Sequence, residues 1–360
     1  MPPLTLSNPN PKKILIRATN WIGDGVMMTP SLGVIRQIFP DAEIVIAANP
    51  LVAELFKNHP WCDRVMVFES RGLHRGLAGL WRFSKEIQAE KFDLAILLQK
   101  AFKAALIAFL AKIPERIGYD TDVRGFLLTK RARLTPEIKL MHHSRHYLEM
   151  LKAFGIGADI GELKLELTRH EIERGAELLG KGEWLVLNPG AAYGAAKRWY
   201  PERFAEVGDR LANEKGMHVV IIGGPGEKEI GRDIENIMSC NPVNLVGETT
   251  VREMMAIIAN SKLMVTNDSG PMHVAAALQI PIVAIFGPTD HKTTFPWCDA
   301  YQIVRSDVDC APCCKRKCPI DHRCMLDVTS DDVVDAVSHL FNQLSAETAG
   351  DKSHLNELRK

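Results

Sequence analysis

The chain has 360 residues, 44 Lys plus Arg against 44 Asp plus Glu, 46% hydrophobic and 24% charged. That composition excludes a disordered or collagen-like chain, and a formal net charge of zero excludes a global field drawing it to nucleic acid or membrane. At roughly 150 residues per domain, the length predicts two domains.

The Pro-rich start, MPPLTLSNPNPK, reads as a frayed leader without the apolar core of a targeting signal. KKILIRA (Lys12 to Ala18) predicts a buried strand, followed by a glycine-containing loop and a helix from Val26 to Phe39, stopped by Pro40. EIVIAA (Glu43 to Ala48), RVMVF (Arg64 to Phe68) and FDLAILL (Phe92 to Leu98) predict three more strands, with helical patterns between them. Strand and helix alternating at this spacing predict a parallel sheet with right-handed crossovers. A charged helical stretch from Leu165 to Lys181 marks the boundary, which divides the chain into domains 1–170 and 171–345 and a polar tail 346–360.

The pattern then restarts. WLVLNPG, HVVIIGG, VNLVG, LMVTND and PIVAIFG are five strand candidates, separated by helical segments such as VREMMAIIANSK and GPMHVAAAL. No charge falls between Ser269 and Thr289, but His273, Gln279, Pro281 and Pro288 interrupt that run. A helix, a turn and a buried strand fit it better than a membrane span. The expectation is an α/β chain with two Rossmann-like parallel-sheet domains facing across a cleft.

In parallel sheets, ligands bind at the carboxyl ends of strands, where helix N-termini offer unpaired N–H groups. Four loops qualify. In Arg17-Ala-Thr-Asn-Trp-Ile-Gly-Asp24-Gly, the carboxylate reads as a helix cap on the motif alone; the functional alternative is a general base. The loop has no GxGxxG, so a dinucleotide fingerprint is absent. Asn267-Asp268-Ser269-Gly270-Pro271-Met272-His273 follows a strand and opens a small-residue helix. It reads as a plain cap with a core histidine, or as a phosphate cradle. Asn188-Pro189-Gly190-Ala-Ala-Tyr193 leads to Lys197, which would balance a diphosphate or be one more solvated lysine. In Gly223-Gly-Pro-Gly-Glu227, the carboxylate is placed to take ribose hydroxyls. Together the four point to a nucleotide-diphosphate ligand.

RATNWIGDGVMMTPSL, NPGAAYGAAKRWYPERF, IIGGPGEKEI and TNDSGPMHVAAAL…PIVAIFGPT, in that order, resemble the bacterial ADP-heptose:lipopolysaccharide heptosyltransferases, most closely the heptosyltransferase II type. The likeness spans about Lys12 to Phe341. It implies a GT-B fold and an inverting reaction with no metal and no cofactor. By the same resemblance, Asp24 is the catalytic base, and Lys197 stabilises the departing ADP diphosphate. Asp268, Ser269, Gly270 and His273 form the sugar-nucleotide loop, Thr249 lines the adenine, and Glu227 is the ribose candidate. Ala192 and Tyr193 depart from the hydroxyl residues of type I members. The donor would be ADP-heptose. The acceptor would be a lipid-linked, anionic core saccharide, met in the cytoplasm at the inner face of the inner membrane.

Between Lys112 and His146 eight cations face four carboxylates, a local charge of +4. By default this is a solvated face; given the resemblance, it becomes a patch for phosphorylated sugars at the membrane. Cys310, Cys313, Cys314, Cys318 and Cys324 are dense enough for a Zn²⁺ or Fe–S site. Their spacing matches no standard ribbon, and free thiols or one disulfide fit as well, so no metal is assigned. The competing functions are transfer of another sugar to the core, a sugar-nucleotide 2-epimerase of similar fold, and a non-enzymatic nucleotide-sugar binder.

Overall fold

The computed structural model describes residues 5–157 and 161–357, with side chains to 346. The leader reading of residues 1–4 and the tail reading of 358–360 lie outside the described residues. The chain divides into two units, Met1–Thr168 and Arg169–Lys360.

Unit 1 contains β1 (Lys13–Arg17), β2 (Glu43–Ala48), β3 (Arg64–Val67), β4 (Leu94–Leu97), β5 (Glu115–Tyr119) and β6 (Lys130–Ala132), all parallel, in the order 3-2-1-4-5-6. Unit 2 contains β7 (Trp184–Asn188), β8 (His218–Ile221), β9 (Val243–Asn244), β10 (Leu263–Asn267), β11 (Ile282–Phe286) and β12 (Tyr301–Arg305) in the order 12-11-10-7-8-9, also parallel. Read from the other edge, it repeats the first arrangement. Both are the doubly wound order, whose direction of winding reverses between the first and fourth strands. That reversal falls between β1 and β4 in unit 1 and between β7 and β10 in unit 2.

The central strands form because their apolar runs are covered on both faces: Ile14 and Ile16 in β1, and Leu185, Val186 and Leu187 in β7, are all 0% exposed. The sequence pattern predicts four and five strands; the sheets hold six each. The three missed strands are β5, β6 and β12, which carry Glu115 and Arg116, Lys130 and Arg131, and Arg305. Charge in an outer strand breaks the apolar run by which a strand is recognised.

Glu115 is only 5% exposed and is met by the Nζ of Lys130 at 2.6 Å and by the N–H of Ser7 at 2.9 Å. Residues 5–8 are therefore pinned at Glu115, contrary to the frayed leader expected there. The single helix expected from Val26 is two, Ile22–Met27 and Thr29–Ile38. Pro30 supplies no N–H, so it starts a helix and cannot continue one. The uncharged run from Ser269 contains the Gly270–Ala277 helix and β11. Among the described residues no helix is long and apolar enough to cross a membrane. Of the segment read as a polar tail, residues 346–357 belong to the Ser330–Glu357 helix.

Candidate active site

Asp24 follows β1 at the point where the unit 1 sheet reverses. The N-cap of the Ile22–Met27 helix is Trp21, so Asp24 is not the capping residue; it sits in the first turn. Gly25 lets that turn approach the short Glu54–Phe56 3-10 helix beyond β2, because a Cβ there would stand 2.9 Å from the Leu55 side chain. The Asp24 side chain is 29% exposed, and its Oδ1 lies 3.6 Å from the Nδ1 of His143.

Lys100, in the loop after β4, completes the cluster. Burial pushes its ammonium below the usual lysine range, and the Asp24 charge opposes that shift. Its Nζ lies 3.3 Å from the Nδ1 of His146, and the His143 and His146 ring centroids are 4.9 Å apart. His146 is 3% exposed; burial first, then the charges of Lys100 and His143, lower its pKa to about 4. Sequence reasoning missed Lys100, His143 and His146. Lys100 occupies a strand-end loop and was open to the rule that found Asp24, whereas the histidines arrive on a distant helix, His143–Lys152.

In unit 2 the loops after β7 and β10 meet. Lys197 donates to Asp268 Oδ2 at 2.6 Å, and the Thr289 hydroxyl donates to the same oxygen at 2.5 Å. The two side chains of the ion pair are 12% and 4% exposed, so Lys197 is not a solvated surface lysine. The Tyr193 ring lies 5.0 Å from the Lys197 ammonium and 5.2 Å from the Arg316 guanidinium. Asn267 joins the loops, donating to Pro189 O at 2.7 Å and accepting from the Trp199 N–H at 3.1 Å.

Ser269 is the N-cap of the Gly270–Ala277 helix but makes no side-chain capping bond. Its hydroxyl instead accepts from Asn188 Nδ2 at 2.7 Å. The first-turn N–H groups thus keep their polarity at the carboxyl end of β10, beside Asp268. His273 is buried within that helix, at 3% exposure. Glu227 Oε2 accepts from the Gly224 N–H at 2.8 Å, which closes its own turn. It also crowds Gly190, where a Cβ would lie 2.2 Å from Oε2. Thr249 is half-buried next to Thr250, which caps the Val251–Ala259 helix.

The basic run is smaller than its sequence count. Arg124 is 0% exposed and donates to the carbonyls of Tyr119, Gln99 and Leu97. Arg116 donates to Leu127 O at 2.8 Å, and Lys130 is taken up by Glu115. These three build the β5–β6 region; Lys112, Arg131, Arg133, Lys139 and Arg145 remain exposed.

Cys310, Cys313, Cys318 and Cys324 line one pocket with Ala196 and His322, while the Cys314 N–H donates to Pro288 O at 2.7 Å. All are free thiols, and among the described residues no group of three or more His, Cys, Asp and Glu is arranged to hold a metal ion. Their loop abuts the Lys197 turn: the Ala196 N–H donates to Arg316 O at 3.0 Å, and His322 Nε2 lies 2.8 Å from Ala196 O.

A family model described as glycosyltransferase family 9 (heptosyltransferase) matches residues 80–323. The chain is 31% identical to lipooligosaccharide heptosyltransferase 2 of Campylobacter jejuni, over 91% of this chain and 98% of that one. The solved structure of E. coli ADP-heptose LPS heptosyltransferase II is similar with a TM-score of 0.77 and 25% identity, over 92% of this chain and 99% of that one. A family 9 glycosyltransferase from Veillonella parvula is similar with a TM-score of 0.83 and 25% identity, over 92% and 98%.

Proposed function

The chain belongs to glycosyltransferase family 9, and we propose that it moves L-glycero-D-manno-heptose from ADP-heptose, with inversion, onto the inner core of lipopolysaccharide, as the second heptose onto the first. The acceptor is a lipid-linked anionic saccharide, met in the cytoplasm at the inner membrane face. The observation that carries the reading is the buried Lys197–Asp268 pair beside the start of the Gly270–Ala277 helix.

A hydroxyl must attack an anomeric carbon while a diphosphate leaves. Unit 1 supplies the acceptor chemistry. Asp24 takes the proton from the attacking hydroxyl as general base, with Lys100 and His143 beside it to orient that hydroxyl. Unit 2 supplies the donor chemistry. An ammonium has three donors, and Asp268 takes one from Lys197; the others meet the diphosphate as its charge grows, together with the N–H groups at Ser269 and Gly270. Asp268 and Thr289 hold the lysine in place. Glu227 takes the ribose, Thr249 lines the adenine, and His273 packs behind the loop. The chemistry assigns no metal and no cofactor to this reaction, because Lys197 and the helix start provide the positive charge.

Mass spectrometry of core oligosaccharide from a strain lacking this gene tests the reading. The core should end after its first heptose, and plasmid-borne protein should restore the second. A full-length core in the deleted strain contradicts it.

A further inference from the structure

From Ser70 to Lys85 the chain carries Arg71, Arg75, Arg82 and Lys85 and no acidic residue. All four cations are exposed. Among them stand Leu73, Leu77 and Trp81, at 55%, 84% and 50% exposure, spaced four apart. Leu77 and Trp81 share the outer face of the Gly76–Ala89 helix, whose inner face buries Leu80, Phe83 and Ile87. The Lys85 ammonium lies 4.7 Å from the Trp81 ring centroid, so stem and ring share one surface.

This apolar stripe is held rigidly. His74 is 4% exposed; its Nδ1 accepts from the Glu69 N–H at 3.0 Å, its Nε2 lies 3.2 Å from Glu86, and its ring stacks on Phe68 at 5.6 Å. Gly79 makes room for that loop, because a Cβ there would stand 2.0 Å from the His74 carbonyl carbon. The loop leaves β3 at the carboxyl edge of its parallel sheet, the same edge from which the Asp24 loop leaves β1.

We propose that the segment Arg71–Lys85 docks unit 1 onto an anionic bilayer. Leu73, Leu77 and Trp81 enter the headgroup boundary, while Arg71, Arg75, Arg82 and Lys85 face lipid phosphates. Aromatic and aliphatic side chains on one face, rimmed by cations, are what an interfacial helix requires. A second copy of the chain fits the surface worse: a two-fold contact would set four cations against the same four, and three apolar side chains fall well short of the roughly 800 Å² per partner of a stable interface. The proposal rests on the reading that the acceptor is lipid-linked, for which a membrane dock beside the acceptor chemistry is the natural complement.

Co-sedimentation of the full chain with phosphatidylcholine vesicles, with and without phosphatidylglycerol, tests it. The wild type should bind only the anionic vesicles and release at high salt. Arg75→Gln/Arg82→Gln should weaken partitioning by about 25-fold, roughly five-fold for each cation removed. Leu77→Ser/Trp81→Ser should weaken it by about tenfold or more. Both pairs should keep the wild-type melting curve and transfer heptose at the wild-type rate to a delipidated, water-soluble acceptor. Wild-type protein that ignores anionic vesicles, or variants that bind them undiminished, overturns the proposal. A change of solution mass in the variants with vesicle binding intact also overturns it, by making the face a contact between copies. Failure of the wild type on the soluble acceptor, with vesicle binding as expected, instead counts against the transferase reading.

Discussion

The Lys197 ammonium stands 2.6 Å from the Asp268 carboxylate, with only 12% and 4% of the two side chains exposed. The lysine comes from the loop after β7 and the aspartate from the loop after β10, so the pair straddles the point where the unit 2 sheet reverses its winding. Asp268 also accepts from Thr289, just past β11. Three strand ends therefore converge on one carboxylate, which holds a single cation and itself stands next to Ser269, the N-cap of the Gly270–Ala277 helix. A charge held this way is pre-organised: little rotamer freedom remains to be lost when an anion arrives.

On the role proposed for its charge, holding the ADP diphosphate in the ground state and more strongly as it leaves, Lys197→Ala should weaken ADP binding and lower turnover further. Calorimetric titration of ADP and steady-state kinetics separate the two effects. Wild-type affinity together with wild-type rate would reduce Lys197 to a structural partner of Asp268.

Asp24→Asn should leave ADP-heptose affinity unchanged and lower kcat by ~10²–10⁴, the usual contribution of a general base. The substitution keeps the volume, and Trp21 holds the helix N-cap, so the fold should be intact by circular dichroism. Undiminished turnover would remove Asp24 from the chemistry.

How far the sequence reveals this depends on what each residue has to signal. β1, β2, β4, β7, β10 and β11 are legible because strands covered on both faces are continuous apolar runs. β5, β6 and β12 are not, since polar and charged residues such as Glu115, Arg116, Arg131 and Gln302 leave them few apolar residues, and Glu115 becomes tolerable only once Lys130 and Ser7 arrive from elsewhere. Asp24, Lys197 and Asp268 stand in strand-end loops, where one rule finds all three. That the last two bind each other is invisible across 71 positions of sequence. The Lys100, His143 and His146 cluster needs the tertiary fold to exist. The basic run misleads for the same reason: Arg124 is a charge in the sequence and a buried carbonyl-binding strut in the fold.

His146 sets an acid limit on stability. Its folded pKa is lowered from 6.5 to about 4 by burial, with Lys100 and His143 adding to the shift and the carbonyls of Met141 and Ile138 opposing it. The neutral imidazole is native, and the unfolded chain takes up the proton first. Its contribution is thus complete above pH 6.5 and is lost as the pH falls toward 4, at up to about 1.4 kcal/mol per pH unit. Urea melts between pH 7.5 and 4.5 should show His146→Asn with a shallower decline than wild type; parallel declines would contradict the assignment.

Gly194→Ala tests the coupling of the cysteine loop to Lys197. A Cβ at Gly194 would lie 2.4 Å from Arg316 O, backbone that has no free end to swing aside. The loop must move, taking with it the bond from Ala196 N–H to Arg316 O. ADP affinity should fall and labelling of Cys318 by a maleimide should accelerate, as read by mass spectrometry. Unchanged labelling and affinity would show the two loops to be independent.

The central claim is heptose transfer, and it is tested most directly by incubating the purified chain with ADP-heptose, a strong chelator and a core acceptor that ends in its first heptose. Chromatography and mass spectrometry then follow both products. The account predicts one ADP released for each heptose added, at a rate the chelator does not change. Consumption of ADP-heptose to free sugar with no addition to the acceptor, or no consumption at all, would contradict it.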